Sequence, residues 1–237
     1  MRHDKARLPV QSPGPGPSRY ALWLVATTLL LLSACSSLPE TVVTEKSEQD
    51  WIKRQQQLDA IDSWDIRGRA VILVDDEIHH VGIGWQREQE RFAMVVEAPF
   101  GQGVISIESN QPADDGAAYK LSLPDGQVDY GQSAESLLTG LLGWSLPVDG
   151  LKSWIKGLPQ PQTEYRYTLY GEGRLKTLQQ DGWAINYLEF FKVADQAQGL
   201  PRIIYMKHQA LAIKLVIERW NSIQAQDEPA FLFPGFD

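Results

Sequence analysis

Few residues in this sequence stand at a spacing that supports bond-making chemistry, and most of the candidates have a plainer use. Gly131-Gln132-Ser133-Ala134-Glu135 offers a serine where a nucleophile elbow would, but the motif's final glycine is missing and an apolar helical pattern follows. Ser133 therefore reads as a helix cap. Asp75-Asp76-Glu77 with His79-His80 offers metal-ligand types, yet adjacent strand residues point to opposite faces, and the acidic triplet suits a solvated hairpin turn. No Gly-rich phosphate loop ending in Lys-Ser or Lys-Thr and no HExxH pattern occurs. Carboxylates are numerous, but sequence alone assigns no pair the separation that acid–base work requires. These residues leave an enzyme, such as a lipid-processing one, open but unsupported, and the expectation adopted is a protein that is not an enzyme and uses no metal or cofactor.

Cys35 is the exception. As the only cysteine it cannot form a disulfide within the chain. It follows Leu32-Ser33-Ala34 at the end of Ala21–Leu32, twelve residues without a charge, whereas a helix crossing a bilayer takes about twenty. Basic residues precede the run, as in a signal peptide, and the four residues ending at Cys35 resemble the bacterial lipobox, in which cleavage leaves a lipid-bearing cysteine as residue one. Several acyl chains on one cysteine anchor firmly, since each buried methylene contributes about 0.8 kcal/mol. The alternative is a buried thiol at the end of a membrane segment. Pro13-Gly14-Pro15-Gly16-Pro17 ahead of the run makes an extended leader, as an upstream start codon would produce.

The elements that follow must position whatever the domain does. Residues 36–46 are short of apolar side chains and suit a tether. Ser47 ahead of Glu48 and Asp50, with Trp51, Leu58 and Ile61 at helical spacing, predicts a capped amphipathic helix over about 48–62. The period then changes to two. Strands are expected around Ile66 and Val71–Val74, over 80–86 with Val81, Ile83 and Trp85 on one side, and over 92–97, 104–108, 119–123 and 127–130. Ser133 caps a helix with Leu137, Leu138, Leu141 and Leu142 on its apolar face and Gly143 at its end, and a short helix over about 151–156 follows. Strands return over 165–170, 175–180, 183–191, 201–208 and 211–220. Ten or eleven antiparallel strands with three helices make an α+β fold, the helices grouped on one face of the sheet or plugging a curled one. The organisation is a signal peptide over 1–34, a lipidated cysteine and tether over 35–46, a domain over 47–220 and an extension over 221–237.

Removing residues 1–34, which carry a formal +3, from a chain of −8 leaves 203 residues at −11. A chain so acidic lacks the basic stripe that displaces phosphate counterions, which excludes electrostatic nucleic-acid binding. Seven tryptophans remain in that mature part. Composition does not separate a filled aromatic core from an open apolar cavity, so a structural lipoprotein with a filled interior stays open beside a lipid binder.

Glu97-Ala98-Pro99-Phe100-Gly101-Gln102-Gly103 joins two strands, with Pro99 and Gly101 suited to a turn and Phe100 at its tip. An exposed aromatic ring forgoes burial worth about 1.5–3 kcal/mol. Phe100 either folds back onto the domain or is offered to a membrane or partner.

The lipobox, the strand ending in Trp85-Gln86, the turn Ala98-Pro99-Phe100-Gly101 and the block from Leu146-Pro147-Val148-Asp149-Gly150 through Trp154 to Gly157-Leu158-Pro159 together resemble the LolB family of outer-membrane lipoprotein receptors. The resemblance runs from Cys35 to about Trp220, and the block around Trp154 is its most specific part. It implies a curved, incompletely closed antiparallel β-barrel covered by helices around an apolar cavity. That cavity would accept the acyl chains of lipoproteins from the periplasmic carrier LolA, and the receptor, a monomer, would release them into outer-membrane phospholipid. Ser36, in place of the aspartate that commonly retains lipoproteins at the inner membrane, favours the outer membrane by the same analogy. Phe100 stands where the family presents a leucine implicated in membrane insertion and delivery; phenylalanine keeps the apolarity and changes the shape. Trp154 and Trp183 match family positions associated with the cavity, and Phe92, Met94 and Val96 share a strand face that could line it.

Overall fold

The computed structural model describes residues 45–98, 103–110, 116–192, 195 and 197–225; Cys35, the 99–102 turn with Phe100, and residues 226–237 lie outside them. The chain enters through helix α1 (Glu45–Asp59) and runs as a meander of β1 (Ile61–Val74), β2 (Glu77–Glu88), β3 (Arg91–Glu97), β4 (Val104–Ser109), β5 (Tyr119–Ser122) and β6 (Val128–Gly131). Helices α2 (Ala134–Leu142) and α3 (Val148–Trp154) follow, then β7 (Tyr165–Leu169), β8 (Leu175–Gln180), β9 (Trp183–Phe190), β10 (Pro201–His208) and β11 (Leu211–Ala225). All strands join one antiparallel sheet in the order β6-β5-β4-β3-β2-β1-β11-β10-β9-β8-β7. This is the expected α+β class, with eleven strands and three helices among the described residues.

The sheet must curl. Lys152 of α3 stands 5.7 Å over the Phe92 ring of β3, while Trp154 of the same helix donates its indole N–H to Gln180 of β8 at 2.9 Å. Those strands are six steps apart in the sheet, about 29 Å if it were flat, whereas seven helical residues span about 10 Å. Only a sheet wrapped around the helix brings both strands within its reach. The inward positions of the strands and the apolar faces of all three helices accordingly form one core. The two edge strands, β6 and β7, are joined by the α2–α3 segment.

Three boundaries differ from the sequence reading. Helix α1 starts at Glu45 and stops at Asp59, and Ser47 is a buried residue of its first turn instead of its cap. Trp51 and Leu58 are buried on the helix as their spacing predicts, but Ile61 leaves it to open β1 opposite Ala225, because the ladder with β11 satisfies its backbone. The short helix spans Val148–Trp154, four residues of which face the core. The last strand continues past Trp220 to Ala225, and its final residues pair with Ile61–Asp65.

Candidate functional site

Between the inner sheet face and α2 lies a pocket of about 100 Å³ lined only by apolar residues. Its floor alternates along neighbouring strands: Ala70 and Ile72 of β1, Ile83 and Trp85 of β2, Met94 and Val96 of β3, with Ile105 of β4 beside them. Met206 of β10 and Ile213 and Leu215 of β11 close one wall. The period of two puts these residues on one face, and the curl of the sheet brings β3 and β10 around the same space. The roof is Leu138, Leu141 and Leu142 of α2, then Trp144 and Leu146 of the linker and Leu151 of α3.

Local chemistry builds that roof. Ser133 is extended, and its hydroxyl accepts from the Ser136 N–H at 3.3 Å, which makes it the cap its sequence suggested. Gly143 ends α2 at φ 78°, a conformation that glycine adopts freely, and its N–H returns to Thr139 O at 2.9 Å. Ser145 Oγ donates to Glu135 Oε1 at 2.5 Å, fastening the linker to the first turn of α2. Gln132 Nε2 donates to Gly116 O at 2.6 Å, which ties the base of the helix to the loop ahead of β5.

Of the residues singled out in the sequence, Met94 and Val96 line the pocket, whereas Phe92, Trp154 and Trp183 do not. Phe92 is buried beyond Trp85, edge-on to it and to Tyr119. Trp154 is fully buried beneath α3, held by Gln180 and 5.9 Å from Trp183, which stacks on His208. All three rings belong to the buried core, and the Trp154 indole N–H is satisfied there by Gln180. Sequence reasoning missed the roof as a lining surface. The signal was present in the leucine face of α2, but whether that face meets sheet or solvent depends on where the chain crosses.

Among the described residues no ionisable side chain borders the pocket. The shifted groups sit elsewhere. Burial, with Arg174 close by, lowers Arg54 to about 10, and burial lowers Lys156 to about 8, its ammonium donating to Ile61 O at 2.9 Å. Burial and a hydrogen bond donated to Glu48 raise Tyr167 to about 12. Asp75 and Asp76 take positive φ in the β1–β2 turn, as a hairpin turn demands. Among the described residues no group of three or more His, Cys, Asp or Glu lies close enough to hold a metal ion, and no helix is long and apolar enough to cross a membrane. The arrangement suits non-directional capture of an apolar group.

A family model described as outer membrane lipoprotein LolB matches residues 62–220, which hold every sheet residue of the pocket and its entire roof. The chain belongs to the LolB family. The outer-membrane lipoprotein LolB of Nitrosococcus oceani is 33% identical over 201 residues, covering 84% of this chain and 96% of its own. That of Pseudomonas paraeruginosa is 33% identical over 209 residues, covering 87% and 98%. A LolA superfamily protein from Nitrosomonas europaea overlaps more loosely, at TM-score 0.43 and 9% identity over 76% of this chain and 94% of its own.

Proposed function

We propose that this LolB-family chain is an outer-membrane receptor, anchored through lipid on Cys35, that takes lipoproteins from a periplasmic carrier by their acyl chains and releases them into the membrane. The observation that carries this reading is the wholly apolar pocket under a helical roof in a domain of that family. Binding makes and breaks no covalent bond. Direction comes from differential affinity, with the chains held better here than in the carrier and better still in the bilayer, so no energy source is needed.

The pocket is small for an acyl chain. A cavity of about 150 Å³ holds one benzene, so a pocket of about 100 Å³ admits an acyl chain only when its walls separate. The strands below are tied by ladders on both sides, whereas α2 and the 143–147 linker are tied by a cap and two side-chain hydrogen bonds. In this reading the roof is the part that moves. Ala98 N–H donates to Gly103 O at 3.0 Å, joining the two ends of the 99–102 segment that includes Phe100. In this reading Phe100 enters the bilayer and opens the route for release.

The test mixes a chain beginning at Ser36 with lipoprotein-loaded carrier, then adds liposomes, with Phe100→Ala in parallel. Transfer to both proteins, with delivery failing only in the variant, is the expected outcome. Failure of the folded wild type to receive lipoprotein would sink the receptor and favour a scaffolding lipoprotein.

A further inference from the structure

The outer face of the sheet, opposite the apolar pocket, carries a second concavity of about 850 Å³ between β11, β1, β2 and the end of β3. Gly82 lines it, with Glu97 against the position a Cβ would take. Gly82 and Gly84 place no side chain on this face of β2, and a Cβ at Gly84 would stand 2.7 Å from Arg67 Nη1, so that guanidinium occupies the room a side chain would fill. Four cations, Arg67, Arg69, Lys214 and Arg219, border the trough against two carboxylates, Glu97 and Glu218. Arg69 pairs with Glu218 at 2.6 Å and Arg67 approaches Glu97 at 3.9 Å. Among the described residues Lys214 and Arg219 have no ion-pair partner. Arg67 and Arg219 are also partners in the β1/β11 ladder, which concentrates positive charge on this face. This surplus of positive charge sits on one face of a chain whose net charge is −8.

We propose that the trough seats the phosphates of anionic phospholipids in the bilayer that anchors the chain, and so sets the angle at which the domain lies on it. The proposal deepens the receptor reading and rests on it for the nearness of the bilayer. The trough reaches Ala98, two positions before Phe100 in the chain. In the receptor reading Phe100 enters the bilayer, which carries the adjoining trough to headgroup depth. Its floor of Gly82, Val71 and Val216 presents no aromatic ring, and cations bordering a shallow apolar floor match a phosphate above acyl chains, which favours a headgroup over a protein partner.

The experiment uses the lipidated protein in phosphatidylcholine vesicles with and without phosphatidylglycerol, pulsed with a water-soluble amine reagent and read by mass spectrometry. Each cation near an anionic surface contributes about a fivefold factor in surface affinity, so modification of Lys214 should slow about fivefold with phosphatidylglycerol. Added salt should abolish the slowing, and exposed Lys53 on α1 should be unchanged throughout. The pair Arg67→Ser and Arg219→Ser should lose the protection; the wild-type comparison of the two lipid compositions decides the matter even where that variant does not fold. Equal reactivity of Lys214 in both vesicles would overturn the proposal. So would protection supplied by inorganic phosphate alone in phosphatidylcholine vesicles, or protection appearing only on adding the carrier protein. Delivery of lipoprotein is scored separately in the same vesicles: lost delivery with retained protection removes the receptor and leaves the trough, and the converse removes the trough alone.

Discussion

Gln180 shows how one side chain organises a region. It is buried at 3% exposure, accepts from Trp154 Nε1 at 2.9 Å and Gln160 N at 2.8 Å, and donates to Gln160 O at 2.8 Å and Thr163 Oγ1 at 2.6 Å. Gln180→Leu strands several of those partners, and a loss of about 2–4 kcal/mol is expected from the desolvated groups left unpaired, read from the denaturant midpoint. Lys156 supplies a pH dependence. Its ordinary value is 10.5 and its folded value about 8, chiefly through burial. Between those values the unfolded chain holds a proton the folded chain has released, so this group adds stability as pH rises from 8 toward 10, and its penalty is constant below 8. Lys156→Met is expected to flatten that rise, measured as unfolding free energy across the interval. Neither role was legible beforehand. Gln180 ends a strand in sequence, and only the loop folded over it encloses it.

Helix α2 was legible almost residue by residue, because its cap, its leucine stripe and its terminal glycine are local signals within one segment. Ser133→Ala removes the cap and is expected to lower stability by about 1 kcal/mol. Since the same helix is the roof, acyl-chain capture should become faster, as read by stopped-flow with a fluorescent fatty acid. The final strand was underestimated. Residues 221–225 carry Asn221, Ser222 and Gln224, whose polarity hid a strand that the β1 ladder stabilises. Ending the chain after Trp220 removes the pairings of Ile61, Ser63, Trp64 and Asp65 and should lower the unfolding midpoint, whereas ending it after Ala225 should leave the midpoint unchanged. A chain cut at Ala225 that lost stability would show that the remaining residues contribute to the fold.

At the scale of the molecule, one sheet separates two chemistries: an apolar pocket inside and a cationic trough outside, drawn from alternate residues of the same strands. Ala70 is a small residue on the pocket floor. Ala70→Leu fills part of that space and is expected to weaken binding of a fluorescent fatty acid about tenfold, or about 1.4 kcal/mol, with secondary structure preserved by circular dichroism. Unaltered binding in the folded variant would place the acyl site elsewhere. Strand existence, the hairpin turns, the helix cap and the family were all readable from the sequence, because each depends on residues within about ten positions of one another or on a continuous block. Tertiary structure alone decided the rest. The curl that brings β3 and β8 to opposite sides of α3 selected Met94 and Val96 as lining and consigned Phe92, Trp154 and Trp183 to the filled core. Likewise the pairing of β1 with β11 set Arg67 against Arg219 across a separation of some hundred and fifty residues. Spacing along a chain sets the face on which a side chain lies, and only the curl of the sheet sets what that face meets.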